Sequence, residues 1–422
     1  MPVEAQDRPV AAGADQEAGG PGAGLRVLFV HNHYRTEQPS GEDRVVDQEI
    51  ALLRAGGAQV ELFSRHSDDI ASMSALGKAR VIAEIPWSRR SARAFTAQLS
   101  AARPDIVHLH NTFPMVTASV IRAANSAGVP VVATLHNYRQ ICPPGQLHRD
   151  GRTCDDCVGR LPWPSIRHGC YRGSPVATLP LAVSMVANRA TWWQGVDRFF
   201  CISAAQRHLL VAAGMPADRL VVKHNFVPAP PAVRRGAGDH LLYLGRLSRA
   251  KGIRLLMAAW DELTCHQKND VPLVIAGSGD LEQEVTAWAA GRADVQFLGL
   301  RSRSQCAELT AHARAAVMPS EWAETFGLVA VEAMAAGVPT VAAAHGAFME
   351  LITDGDSGLL HEPGDVASLC AGLRAVTDPD TSVRLGAAAR RRYLADFTEE
   401  VALRRQLDAY RNVLARRPEV SV

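Results

Sequence analysis

The sequence predicts an α/β protein of two lobes, each a parallel sheet covered by helices, with a cleft between them. Three observations carry this. Short apolar runs alternate with helical patterning through most of the chain, as strand–helix units of a parallel sheet require. The strand ends deliver polar residues, with His110 and His136 each following an apolar run directly. A proline-rich break, Pro228-Ala229-Pro230-Pro231, separates two such series.

In the first series, Val27 to Val30 reads as a buried strand. The loop His31 to Glu42 follows, carrying His31, His33 and Gly41, and then a helix to Ala55, stopped by Gly56 and Gly57. Gln59 to Phe63, Ile106 to Leu109 and Val129 to Leu135 read as further strands. His110 follows the second of these, and His136 and Asn137 the third. In open α/β sheets ligands bind at that edge. His108 and His110 flank Leu109, and their rings are expected to face apart and share no metal. An irregular stretch from Tyr138 to Pro175 comes next. Loops of that length are usually functional or stapled. A helical pattern from Val176 to Trp193 and strands at Arg198 and Leu220 complete this half.

The second series has strands at Leu241 to Leu244, Pro272 to Ala276, Val295 to Leu298, Ala315 to Met318 and Thr340 to Ala343. After the first of these comes the loop Gly245 to Gly252, with Arg246 and Lys251. Arg offers a two-pronged fork and Lys a point charge, so together they could neutralise a diphosphate; a solvated basic turn is the plainer account. After Met318 comes a loop holding Glu324 and Gly327, then a helix from Leu328 to Ala336. Its N-terminal N–H groups suit phosphate, and Glu332, one turn in, can accept hydrogen bonds from a vicinal diol. Two solvated glutamates beside a core helix are the competing account. Leu403, Leu407, Tyr410 and Leu414 recur at helical spacing, and this last helix is expected to dock back across the break.

Net charge is +2, too small to suggest a nucleic-acid partner. No apolar run reaches the ~18 residues of a membrane helix. Residues 1–24 lack the apolar segment of a signal peptide and are expected to be disordered. A cytoplasmic protein with reduced thiols follows, its membrane contact at most peripheral. The basic segment Arg89 to Arg103 reads as a solvated helix face, with anionic lipid as the alternative. Of the eight cysteines, Cys142, Cys154, Cys157 and Cys170 share one loop, with eleven, two and twelve residues between them. The inner pair has structural-zinc spacing; disulfides, an iron–sulfur cluster and no joint role stay open. Asp354-Gly355-Asp356 and Asp378-Pro379-Asp380 read as turn chemistry rather than metal sites.

These residues resemble glycosyltransferase family 4. The second half matches in Gly245-Arg246-Leu247 with Lys251-Gly252, Ala276 to Gly279, the pair Glu324 and Glu332 with seven residues between them, Gly337-Val338-Pro339, and Gly355 with Gly358. The first half matches in Gly41-Glu42, Asp105 to His110, Thr134 to His136, and Ser203. The resemblance covers nearly the whole chain from Leu25. It implies a GT-B fold of two Rossmann-like domains: an acceptor-binding domain over 25–226 with the cysteine-rich loop 138–175, a linker over 227–239, a nucleotide-sugar domain over 240–395, and a helix in 396–422. It implies retaining transfer from a nucleoside-diphosphate sugar, UDP favoured, to a hydroxyl of a sugar, a lipid-linked or a small-molecule acceptor. Donor binding would fall to Gly41, Arg246, Lys251, Phe326, Gly327, Leu328 and Glu332, and catalysis to His136, Arg246, Lys251 and Glu324. His110, His136 and Asn137 would meet the acceptor. No metal or cofactor is required for this chemistry. The cysteine loop matches an insertion in part of the family, for which the resemblance implies no role. A sugar-nucleotide epimerase of the same fold and a non-catalytic partner-binding protein are the competing readings.

Overall fold

The computed structural model describes residues 20–36, 40–266 and 270–416. The first sheet contains β1 (Arg26–His33), β2 (Gln59–His66), β3 (Ile106–Leu109) and β4 (Val131–Leu135). A small hairpin, β5 (His148–Arg149) and β6 (Arg152–Thr153), interrupts the series before β7 (Arg198–Cys201) and β8 (Leu220–Val222) rejoin the sheet. The second sheet contains β9 (His240–Leu244), β10 (Leu273–Ala276), β11 (Val295–Gly299), β12 (Ala313–Met318), β13 (Thr340–Ala343) and β14 (Gly358–His361). The orders are β2-β1-β3-β4-β7-β8 and β11-β10-β9-β12-β13-β14. Every pairing within the two six-stranded sheets is parallel. Helices cover both faces, so strands such as Val27 to Val30 are buried throughout and read as unbroken apolar runs rather than alternating ones.

The strand order reverses between β1 and β3 in one sheet, and between β9 and β12 in the other. A crevice opens at the C-terminal strand ends at such switch points. The loops after β1, β3, β4, β9 and β12 carry the candidate residues.

The helix Gly41–Ala55 begins at Ser40, whose side chain accepts from the Glu42 N–H. It buries Val45, Val46, Glu49, Ile50 and Leu53, one stripe at helical spacing. The last helix, Glu399–Leu414, crosses to the first lobe, where Leu407, Tyr410 and Val413 share a core with Val27, Phe29, Val46 and Ile50. That is the docking its apolar spacing predicts. The segment joining the lobes is tied down: Val227 N–H donates to Phe397 O at 3.1 Å, and Arg234 reaches Arg314 O at 3.0 Å and Ser382 Oγ at 2.7 Å.

Several expectations need correction. Order does not wait for Leu25: residues 20–24 form a turn in which Gly22 N–H donates to Gly56 O at 2.8 Å. Residues 1–19 lie outside the described residues. The stretch from Tyr138 to Pro175 is not structureless, since it contains the β5–β6 hairpin and a helix, Trp163–Arg167. The helical pattern beyond it is two helices, Pro175–Ala187 and Arg189–Gly195. The aspartate triplets act locally, as read from sequence. Asp354 accepts from Leu360 N–H at 2.9 Å, and Asp378 caps the helix Pro379–Asp396.

Candidate active site

The second lobe builds its part from two loops pressed together. Gly252 has φ +70°, and a Cβ there would lie 1.7 Å from Pro319 O; only glycine lets the β9 loop meet the β12 loop this closely. Lys251 is thereby set with Nζ against Glu324 Oε1, to which Ser320 Oγ donates at 2.8 Å. Burial alone would raise the Glu324 carboxyl. The Lys251 ammonium and the hydrogen bonds outweigh it and hold the group below the usual carboxylate range. The ammonium also sits 5.2 Å from the Trp322 ring centre.

A cavity of about 900 Å³ lies between the lobes. Arg246, Gly277, Gly279 and Glu332 line it from the second lobe, and Arg44 and Gln48 from the first. Arg246 is exposed and has no ion-pair partner among the described residues. Glu332 is held by an ion pair with Arg44. The helix Leu328–Ala336 starts at Gly327, with φ +98° and no side-chain cap. Across the gap, a Cβ on Gly41 would stand 3.2 Å from Leu328 Cδ1, so the Gly41 turn abuts that helix end.

The candidate donor residues therefore divide. Arg246 and Glu332 share the cavity, and Gly41, Gly327 and Leu328 meet at the gap between the lobes. Lys251 and Glu324 do not line this cavity and bind each other. Phe326 is buried with its ring 6.1 Å from Phe397; it can offer a ligand only its backbone.

The acceptor candidates His110, His136 and Asn137 line a smaller cavity of about 100 Å³ in the first lobe, with Glu42, Arg139 and Trp192. His136 Nε2 and His110 Nδ1 are 2.8 Å apart. The other nitrogen of His110 is buried without a hydrogen-bond partner, 3.8 Å from Glu49 Oε2. Glu49 pairs with Lys223 at 2.6 Å and accepts from Gln406 at 3.2 Å. His108 bridges Tyr410 at 2.7 Å and Thr134 at 2.8 Å. The His108 and His110 rings are 4.3 Å apart, which overturns the expectation that they face apart. Residues i and i+2 of a strand share one face, and both rings turn toward Glu49.

Burial pushes His136 below the ordinary histidine range, and His108 and His110 well below it, so all three stay neutral near pH 7. An unfolded chain takes up these protons below about pH 6.5, while the folded chain resists them. Unfolded protein then binds more protons, so folding stability should fall as pH drops below about 6.5. Urea unfolding across that range checks this, and replacing His108 by asparagine should flatten the slope.

The four loop cysteines are free thiols. Burial raises Cys142 and Cys170, and Cys157 to about 11. Among the described residues, two ligand groups have their donor atoms within 4.8 Å of one another: His31, His33 and Asp43, and Glu49, His108 and His110. Neither contains a cysteine, but the four loop thiols are neighbours: Cys142, Cys154 and Cys170 each add to the rise at Cys157. The first group is occupied by its own bonds: His31 Nε2 and Asp43 Oδ1 are 2.7 Å apart, and His31 Nδ1 accepts from Asn111 N–H at 3.4 Å.

Sequence reading missed Arg44, Glu49 and Lys223. Two of them carry a signal. Arg44 is a cation in the first turn of a helix, where the dipole disfavours it. Glu49 is a carboxylate in the middle of an apolar stripe.

Similarity to known proteins follows the same division. Residues 40–225 match the glycosyl transferase 4-like domain, and residues 234–392 match glycosyl transferases group 1. The chain is 30% identical over 310 residues to glycogen synthase of Mycobacterium tuberculosis, covering 70% of this chain and 66% of that protein, just under two thirds of its length. It is 30% identical over 336 residues to D-inositol 3-phosphate glycosyltransferase 1 of Catenulispora acidiphila, covering 74% of this chain and 72% of that one. Anabaena HepE, solved in complex with UDP and glucose, shares the fold with a TM-score of 0.64 at 18% identity, over 92% of this chain and 100% of that one. With two parallel-sheet lobes and both family models placed on them, the chain belongs to the group 1, family 4-like glycosyltransferases of GT-B fold.

Proposed function

We propose that this protein is a retaining transferase that moves a sugar from a nucleoside-diphosphate sugar, with UDP as the favoured nucleotide, to a hydroxyl acceptor in cell-envelope glycan, glycolipid or secondary-metabolite synthesis. One observation carries this: the interlobe cavity presents a free guanidinium, Arg246, and a carboxylate, Glu332, beside an uncapped helix start. Diphosphate would lie between Arg246 and that helix start, and the ribose diol against Glu332. UDP is supported by the HepE complex of the same fold.

In the reaction the acceptor oxygen bonds to the anomeric carbon on the face the diphosphate leaves. The carbon–oxygen bond to phosphate breaks, and its electron pair stays on the diphosphate. A phosphate oxygen takes the acceptor proton. The chain then has to stabilise the charge on the departing diphosphate, and preorganised electrostatics of that kind usually make the largest contribution to lowering such a barrier. Arg246 and the helix N–H groups supply them. Neutral His136 can hydrogen-bond a hydroxyl without holding a competing charge. Lys251 and Glu324 present a fixed ion pair beside the sugar. No protein base is needed, and the proposed chemistry calls for no metal or cofactor.

Glu332→Gln should weaken UDP binding roughly tenfold to a hundredfold, the range for a hydrogen bond to a charged group; calorimetric titration reads this. Release of UDP from UDP-sugars that requires an added hydroxyl acceptor separates a transferase from an epimerase, whose product is an epimeric sugar nucleotide formed without one. Unchanged UDP affinity in both Glu332→Gln and Arg246→Ala would remove the site from this cavity.

A further inference from the structure

The helix Pro175–Ala187 has no charged residue in its thirteen positions. A helix apolar all round is normally buried on all sides. This one is not. Thr178, Leu181 and Ala182 are buried, and Leu181, Ser184 and Met185 line the acceptor-side cavity. The opposite face, Val176, Leu179, Val183 and Val186, is 44% to 80% exposed. These four fall at i, i+3, i+7 and i+10, a single stripe along the helix. Leu161 and Trp163, just before it in the chain, are 54% and 65% exposed. A contiguous apolar surface of this kind marks a docking site.

The charge around the stripe points to its occupant. Residues 158–196 contain Arg160, Arg167, Arg172 and Arg189 and no aspartate or glutamate. A second basic hollow holds Arg80, Arg89, Arg90 and Arg93 with Trp87 and Glu84. Asn188, capping the apolar helix, donates to Pro86 O at 2.6 Å and locks that segment against it. An apolar stripe without a polar side chain, flanked by arginines and exposed tryptophan, has the pattern of a helix lying in a lipid headgroup layer. No helix among the described residues can cross a membrane, so contact of this kind is peripheral.

We propose that the exposed face of the helix Pro175–Ala187, with Trp163 and its flanking arginines, docks the first lobe onto an anionic bilayer surface. The stripe enters the headgroup layer and the arginines meet lipid phosphates. The other side of the same helix walls the acceptor cavity, so an acceptor carried at a lipid surface would reach His136 from there; that last clause rests on the transferase reading, while docking does not.

The test is cosedimentation of the full chain with vesicles of phosphatidylcholine alone and of phosphatidylcholine with phosphatidylglycerol. The chain should pellet with the anionic vesicles and be released by salt. The double variant Val176→Asp, Val183→Asp should lower partition roughly tenfold or more. Arg160→Glu with Arg167→Glu should lower it roughly fivefold for each arginine lost. All four positions are exposed, so melting temperature and UDP binding should not move; UDP binding lost while vesicle binding stays would count against the transferase reading alone. The proposal is overturned if neither vesicle pellets the chain, or if both double variants pellet like the parent. It is also overturned if light scattering shows a dimer that Val183→Asp dissolves, which would assign the stripe to a second copy.

Discussion

Replacing Glu49 by alanine is expected to destabilise the chain by about 3–5 kcal/mol, the cost of stranding a buried charge. Glu49 and Lys223 are both buried and their charged ends are 2.6 Å apart. Burial alone would raise the Glu49 carboxyl; the ammonium of Lys223 holds it below its ordinary value instead. Without the carboxylate, Lys223 faces Phe200 with its nitrogen 5.8 Å from the ring centre, and Gln406 loses an acceptor. Unfolding by urea measures the loss. Lys223→Met added to Glu49→Leu should recover most of it, because an apolar pair of similar volume commonly replaces a buried ion pair at little cost. If Glu49→Ala cost under 1 kcal/mol, the network joining the Gly41 helix, the β3 histidines and the last helix would not be a stabilising unit.

Lys251→Ala is expected to lower kcat by roughly a hundredfold to a thousandfold, the range for losing one preorganised electrostatic contact, here the ammonium paired with Glu324. It should also shift the pH profile. The ammonium is what keeps Glu324 ionised despite burial, so removing it lets the carboxyl rise. The acid limb of activity should then move to higher pH, a change that a simple loss of binding would not produce. Lys251→Arg should keep the acid limb in place, since it retains the charge. An alanine variant with reduced kcat but an unshifted profile would separate Lys251 from the protonation of Glu324.

The fold was legible because both sheets are parallel and covered on two faces. Their strands are continuous apolar runs, such as Val27 to Val30 and Ala315 to Met318, punctuated by loops rich in glycine. Glu332 and Arg246 could be placed from sequence because each lies at a fixed offset from a strand end. The Lys251–Glu324 pair could not. Its partners are 73 residues apart, and only the backbone contact at Gly252 brings them together. The partnership of Arg44 with Glu332 spans 288 residues and depends on how the lobes face each other, which no local pattern reports. The error over His108 and His110 was one of period rather than of missing information: alternation places them on one face. The cysteine spacing fixes only sequence distance; it is the fold of the loop around the hairpin β5–β6 that makes Cys142, Cys154, Cys157 and Cys170 neighbours.

The placement of the helix Glu399–Leu414 has a consequence for how the molecule is made. Leu407, Tyr410 and Val413 complete a core begun by Val27 and Phe29, nearly four hundred residues earlier in synthesis. The N-terminal half can form its strands as it emerges, but it stays one helix short until the whole second lobe has been translated. The usual order, in which the leading unit finishes first, is thus reversed for this step: the first lobe is sealed only after the second has been made.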